Sequence, residues 1–127
     1  MGLDNGLMIK GKYHPELKLP HPPWEWGSND VEICYWRKFW GFRNEMVVHF
    51  NQKEDCEDIP LTTNDLLEVI EMLETYLDRD YYDTNADSVW TYEEYLVKII
   101  YDIENINRLI QYMETHSNVV CYFYDSY

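Results

Sequence analysis

The chain has 127 residues, of which 46% are hydrophobic, 17% aromatic and 27% charged. Twelve Tyr, five Trp and four Phe suit a single folded domain over residues 1–127 and exclude disorder. The formal charge of −14 arises wholly in residues 51–127, with eighteen acids against four bases, since residues 1–50 carry six of each; so anionic a half excludes ordinary nucleic-acid binding.

In chain order, Leu7 to Tyr13 reads as a short strand, with glycines at 6 and 11. Pro20, Pro22 and Pro23, followed by Trp24 and Trp26, exclude helix and predict an extended loop. A first helix is expected from Asn29, whose side chain precedes Glu32 as a cap precedes an acidic first turn. Ile33, Trp36, Trp40, Val47 and Phe50 recur near helical spacing, and Gly41 is a point where that helix can kink. A strand from Met46 to Phe50 is the alternative there. The acidic stretch 51–60 ends in Pro60 and predicts a linker.

A second helix is predicted behind Thr62 and Thr63, with Asp65 in its first turn and an apolar stripe of Leu66, Leu67, Ile70, Leu73 and Leu77. Residues 78–90 read as a polar loop. A third helix opens on the capping-box pattern Thr91 and Glu94. It keeps one face through Leu96, Ile99, Ile100, Ile103, Ile106, Ile110 and Met113 and ends by Asn118. Val119 to Tyr124 is β-branched and aromatic, hence a strand. The expected fold class is α+β, mainly α: about three helices with a small sheet pairing the N-terminal and C-terminal strands.

No apolar run reaches the roughly 18 residues of a membrane span, and no secretory leader is visible. Cys34, Cys56 and Cys121 are too few for a disulfide framework, which points to a reducing, cytoplasmic setting.

Four groupings bear on chemistry. Asp83, Asn85, Asp87 and Glu94 fall at ligand positions of a calcium loop, but Ser88 stands where the turn needs glycine. Tyr35, Trp36, Arg37 and Lys38, with Trp40, Phe42, Arg43 and His49 downstream, combine cations with stackable rings. That combination suits a phosphate-bearing nucleotide. His49 with Cys56 and Asp4 supplies the residue types of a thiol nucleophile, yet the acids around Cys56 oppose a thiolate. His14 and His21 lack the cysteines of a zinc finger. We therefore expect no catalytic residues, resident metal or cofactor.

The opening Met1-Gly2-Leu3-Asp4, the Glu32–Lys38 stretch with Tyr35-Trp36-Arg37-Lys38, His49, Cys56, and the tail Tyr122-Phe123-Tyr124-Asp125-Ser126-Tyr127 resemble a family of small uncharacterised phage and prophage proteins. Its members carry the central motif on a helix and end in an aromatic-serine-tryptophan tail. This sequence differs at Asn5-Gly6, at Ser88-Val89-Trp90 and at Tyr127. The resemblance implies a phage-type accessory protein of the bacterial cytoplasm and supplies no catalytic mechanism.

The charge asymmetry favours a host protein with a basic surface as partner. It would be held by Glu71, Glu74, Asp78, Asp80 and Asp83, with Tyr76, Tyr81 and Tyr82, and Tyr92 beside them, as exposed anchors. A nucleotide sponge at Tyr35, Trp36, Arg37, Lys38, Arg43 and His49 is the alternative, and a small hydrolase or calcium protein ranks below it. Pairing of the Val119–Tyr124 strand across a homo-oligomer is a further expectation.

Overall fold

The computed structural model describes residues 4–23, 29–50 and 58–126. They form strands β1 (Asp4–Ile9), β2 (Val31–Arg37), β3 (Ile59–Leu61) and β4 (Cys121–Ser126). The helices are α1 (Trp40–Phe50), α2 (Thr63–Thr75), α3 (Arg79–Asn85) and α4 (Tyr92–Thr115). The fold is α+β, mainly α. The strands make one antiparallel sheet in the order β2-β1-β4-β3, and the expected pairing of the terminal strands is its centre. No helix of the described residues is long and apolar enough to cross a membrane.

The clearest departure from the sequence reading is residues 31–37, a strand and not the start of a helix. The register shifts between Leu7 and Met8, which face Cys34 and Glu32, so Ile33 is the extra residue of a bulge. Ile33, Cys34 and Trp36 are then all buried, a spacing that imitates a helical turn. The helix proper begins at Trp40, and the alternative strand at 46–50 lies inside it. Lys38 makes the turn between β2 and α1 with φ 53. Gly41 produces no kink; its N–H donates to the Ala86 carbonyl at 2.8 Å. A Cβ there would sit 1.8 Å from the Asn85 carbonyl oxygen, so only glycine lets α1 meet the end of α3.

Thr62 caps α2, forming a reciprocal capping box with Asp65. Leu66, Val69, Ile70 and Leu73 are its buried row, while Leu67 faces outward. Thr91 likewise caps α4 against Glu94. On α4 the buried face is Tyr95, Ile99, Asp102, Asn105, Ile106, Leu109, Ile110 and Tyr112. Of the predicted stripe, Ile99, Ile106 and Ile110 are buried, Ile103 and Met113 pack against the core, and Ile100 is exposed. Two short elements replace expected loops: α3 at 79–85, capped by Asp78, and β3 at 59–61. Residues 51–57 of the predicted linker, with Cys56, and Trp24 and Trp26 lie outside the described residues.

The helices pack on one face of the sheet, with α4 against β2 and α2 and α2 against β3. The proline-rich segment is tied along α4. Asn105 accepts from the His21 N–H at 3.0 Å and donates to the His21 and Ile33 carbonyls at 2.7 and 3.1 Å. Arg108 donates to the Glu16 carbonyl at 2.9 Å.

Candidate functional site

On the acidic helices, Glu71, Glu74, Asp78, Asp80 and Asp83 are exposed. Asp78 also caps α3, accepting from the Tyr81 N–H at 2.9 Å. Arg79, the single base of this stretch, pairs with Asp83 and Glu93. The tyrosines correct the expected anchors. Tyr76 and Tyr82 are 0% and 3% exposed and join Phe39, Phe42 and Tyr95 in one aromatic core. Tyr81 is half-buried and donates to Glu45 at 2.7 Å. Tyr92 donates to the Leu77 carbonyl at 2.6 Å. Nothing in the local sequence separates a tyrosine that anchors a partner from one that fills a core, since the ring suits both.

The basic-aromatic residues divide. Trp36 points into the core, its indole N–H donating to Asp102 at 2.7 Å. Lys98, one helical turn before, donates to the other Asp102 oxygen at 2.6 Å. Burial raises the Asp102 carboxyl, against the pull of Lys98 and of these donors. Arg43 is clamped on Asp125 by Nε at 2.9 Å and Nη2 at 2.8 Å. His49 pairs with Glu68 at 2.8 Å. Asp4, grouped with His49 as the residue types of a nucleophile, instead accepts from the Tyr35 hydroxyl at 2.6 Å.

Tyr35 and Arg37 do reach a common site. They line a cavity of about 260 Å³ with Trp90, Glu94, Tyr95 and Lys98, at the outer edge of β2 beside the first turns of α4. Sequence reasoning missed Trp90, Tyr95 and Lys98, because only the packing of α4 on β2 brings them beside the motif. The capping pattern at Glu94 was the one local signal.

The sheet also gathers the separated motifs. Asp4 stands opposite Arg37 on one side and Ser126 on the other, and Asn5 opposite Trp36 and Asp125. The opening, the central motif and the tail therefore meet at one end of the sheet. There Asn5 is 0% exposed, and among the described residues neither of its amide atoms nor one oxygen of Asp125 has a hydrogen-bond partner.

On the face away from the helices, tyrosines meet carboxylates: Tyr35 with Asp4, Tyr122 with Asp30 and Tyr124 with Glu32. The Tyr122 hydroxyl and the Gly11 N–H lower Asp30. Glu32 is raised to about 7 by burial, the Tyr124 hydroxyl and Lys98 opposing.

The calcium template does not match the backbone, since Asp83 and Asn85 lie within α3. Among the described residues no three His, Cys, Asp or Glu side chains converge as metal ligands. His14 and His21 bind apart, on Tyr112 and on Glu104. Burial lifts the Cys34 thiol well above its ordinary range and Cys121 to about 12, so neither presents a thiolate. The aromatic strand β4 is flanked by β1 and β3 over Cys121–Phe123, which leaves no free edge there for a second copy.

Against family models, curated protein sequences and solved structures, the chain shows no significant match.

Proposed function

We propose that the chain is a non-enzymatic accessory protein of phage type, acting in the bacterial cytoplasm. It antagonises a host protein, of defence or of nucleic-acid handling, by binding its basic surface through the acidic face of α2 and α3. The observation that carries this reading is charge. Residues 58–94 hold eleven acids and one base, and that base is occupied by Asp83 and Glu93. Glu71, Glu74, Asp80 and Asp83 stay exposed and negative, a surface that accelerates encounter with a basic protein and repels nucleic acid. The resemblance to phage proteins supports the setting. With Tyr76 and Tyr82 in the core, recognition rests on the carboxylates, with Tyr81 at the margin.

The test is charge reversal. Glu71→Lys, Glu74→Lys and Asp80→Lys alter only exposed side chains, so the fold should persist. Wild-type protein immobilised in a bacterial lysate should retain one basic protein in stoichiometric amount, released as salt rises and absent from the triple variant. Retention indifferent to both salt and charge reversal would sink the reading.

A further inference from the structure

We propose that the interior between β1, β4 and α1 binds ordered water as a built part of the fold, bridging the Asn5 carboxamide to the Asp125 carboxylate. The ligand is a small neutral molecule that both donates and accepts hydrogen bonds. This site is separate from the acidic face and does not depend on it.

Asn5 and Asp125 are direct partners across the central β1–β4 ladder. Opposed side chains leave a sheet on the same face, with their Cβ atoms about 4.5–5.5 Å apart. That face is the inner one. Leu7 and Ile9 on β1, and Cys121 and Phe123 on β4, share it by two-residue alternation, and all four belong to the core beneath the helices. Arg43 of α1 reaches Asp125 there. Asn5 and Asp125 are accordingly 0% and 1% exposed. They are polar side chains at positions where the same strands otherwise bury apolar ones.

Their hydrogen bonds do not close within the described residues. Asp125 Oδ2 accepts from Arg43 Nε at 2.9 Å and from Arg43 Nη2 at 2.8 Å. Asp125 Oδ1, Asn5 Oδ1 and Asn5 Nδ2 have no partner there. Exchanging the oxygen and nitrogen of the Asn5 amide alters nothing, since both are unpartnered. Trp36, the neighbour of Asn5 on β2, has its indole N–H committed to Asp102 at 2.7 Å. The Asn5 amide and the Asp125 carboxylate are a donor and an acceptor on facing residues, yet they do not bond each other. Buried polar groups in folded proteins are nearly all matched, by protein or by bound water, so a third molecule spans the gap.

Charge chooses that molecule. Arg43 already neutralises Asp125, and Lys98 does the same for Asp102 on α4. Asp4 and Arg37, one ladder position on, face the opposite side of the sheet. A cation at the site would sit beside a guanidinium with a single carboxylate to hold it. An anion would face Asp125 Oδ1. A neutral occupant must give a proton to Asp125 and take one from Asn5, and water does both without net charge. Three orphaned atoms also match the roughly three hydrogen bonds that a buried water makes. Held so, water stitches residues near the two ends of the chain to each other, and to α1 through Arg43.

A high-resolution crystal structure of the full chain, with water-selective NMR on the same protein, tests this without any substitution. Density for a water should stand within hydrogen-bonding reach of Asp125 Oδ1 and of the Asn5 amide. In solution the Asn5 side-chain amide protons should cross-relax with water. The cross-peak should share the sign of the diagonal in the laboratory frame and oppose it in the rotating frame. That pair of signs marks a long-lived bound molecule, whereas proton exchange keeps the diagonal's sign in both. A direct hydrogen bond between the Asn5 amide and Asp125 overturns the proposal. So does a gap without density, or a cross-peak of exchange sign alone. Density whose ligand distances are those of a metal ion overturns the neutral assignment.

Discussion

The indole of Trp36 and the carboxylate of Asp102, 66 residues apart, share a buried hydrogen bond of 2.7 Å. It ties β2 to α4, and Lys98 neutralises the same carboxylate from the helix surface. Removing one partner of such a group leaves the other buried and unmatched. Asp102→Ala should cost about 3–5 kcal/mol. Asp102→Asn keeps an acceptor for the indole and should cost less. Urea midpoints should fall in the order wild type, Asn, Ala; equal midpoints would show that the pair adds nothing.

Glu32 sets a dependence on pH. Its carboxyl is 6% exposed and raised from 4.5 to about 7, so the folded state favours the protonated form. The stability it contributes is full below about pH 4.5 and is lost as pH rises through about 7, a change of up to about 3 kcal/mol. Glu32→Gln should remove that decline. Wild type and variant compared by denaturation at several pH values in this interval should diverge as pH rises, and parallel curves would refute the assignment.

Gly41 allows α1 to touch α3. A Cβ at this position would stand 1.8 Å from the Asn85 oxygen and 2.7 Å from the Ala86 oxygen, so Gly41→Ala must push two backbones apart. Overpacking of this kind costs about 1–3 kcal/mol or more, despite the better helix propensity of alanine. Thermal unfolding should show a lower midpoint.

Tyr95 makes the opposite case. Its hydroxyl is buried and, among the described residues, makes no hydrogen bond of good geometry; desolvation lifts its proton affinity well above the ordinary range, the Arg37 backbone opposing. Tyr95→Phe keeps the ring and deletes an unsatisfied polar group. It should match or exceed the wild type in stability, since an unmet buried group costs about 1–3 kcal/mol. A clear loss in the melting midpoint would reveal a partner for that hydroxyl.

Where the sequence was legible, caps and periodicity agreed. Thr91 with Glu94 marks a helix start that the structure reproduces to the residue, and of the two cap candidates Thr62 and Thr63 the structure selects Thr62, boxed with Asp65. The strand composition of residues 119–124 shows through although β4 itself spans Cys121–Ser126. The region 29–37 misled because the bulge at Ile33 broke the two-residue alternation by which strands are read. α3 was hidden by its aspartates, tyrosines and asparagine, residues with weak helix preference, and it persists because Tyr82 is buried beneath it. For the candidate site, Tyr35 and Arg37 were visible as a motif. Trp90, Tyr95 and Lys98 were not, because their nearness to it is long-range and set by helix packing.

The strand order β2-β1-β4-β3 also fixes when the sheet can be completed. β4 is the last of the four strands in sequence and sits between β1 and β3, touching both. Until residues 121–126 emerge from the ribosome, β1 has a partner on only one side and β3 has none. A nascent chain can close the β1–β2 hairpin early, but the central ladder spans more than a hundred residues, and its loop-closure entropy is met only once β4 has been made. Synthesis therefore leaves one open strand edge at the middle of the future sheet, and shielding that edge is the protein's narrowest passage to the folded state.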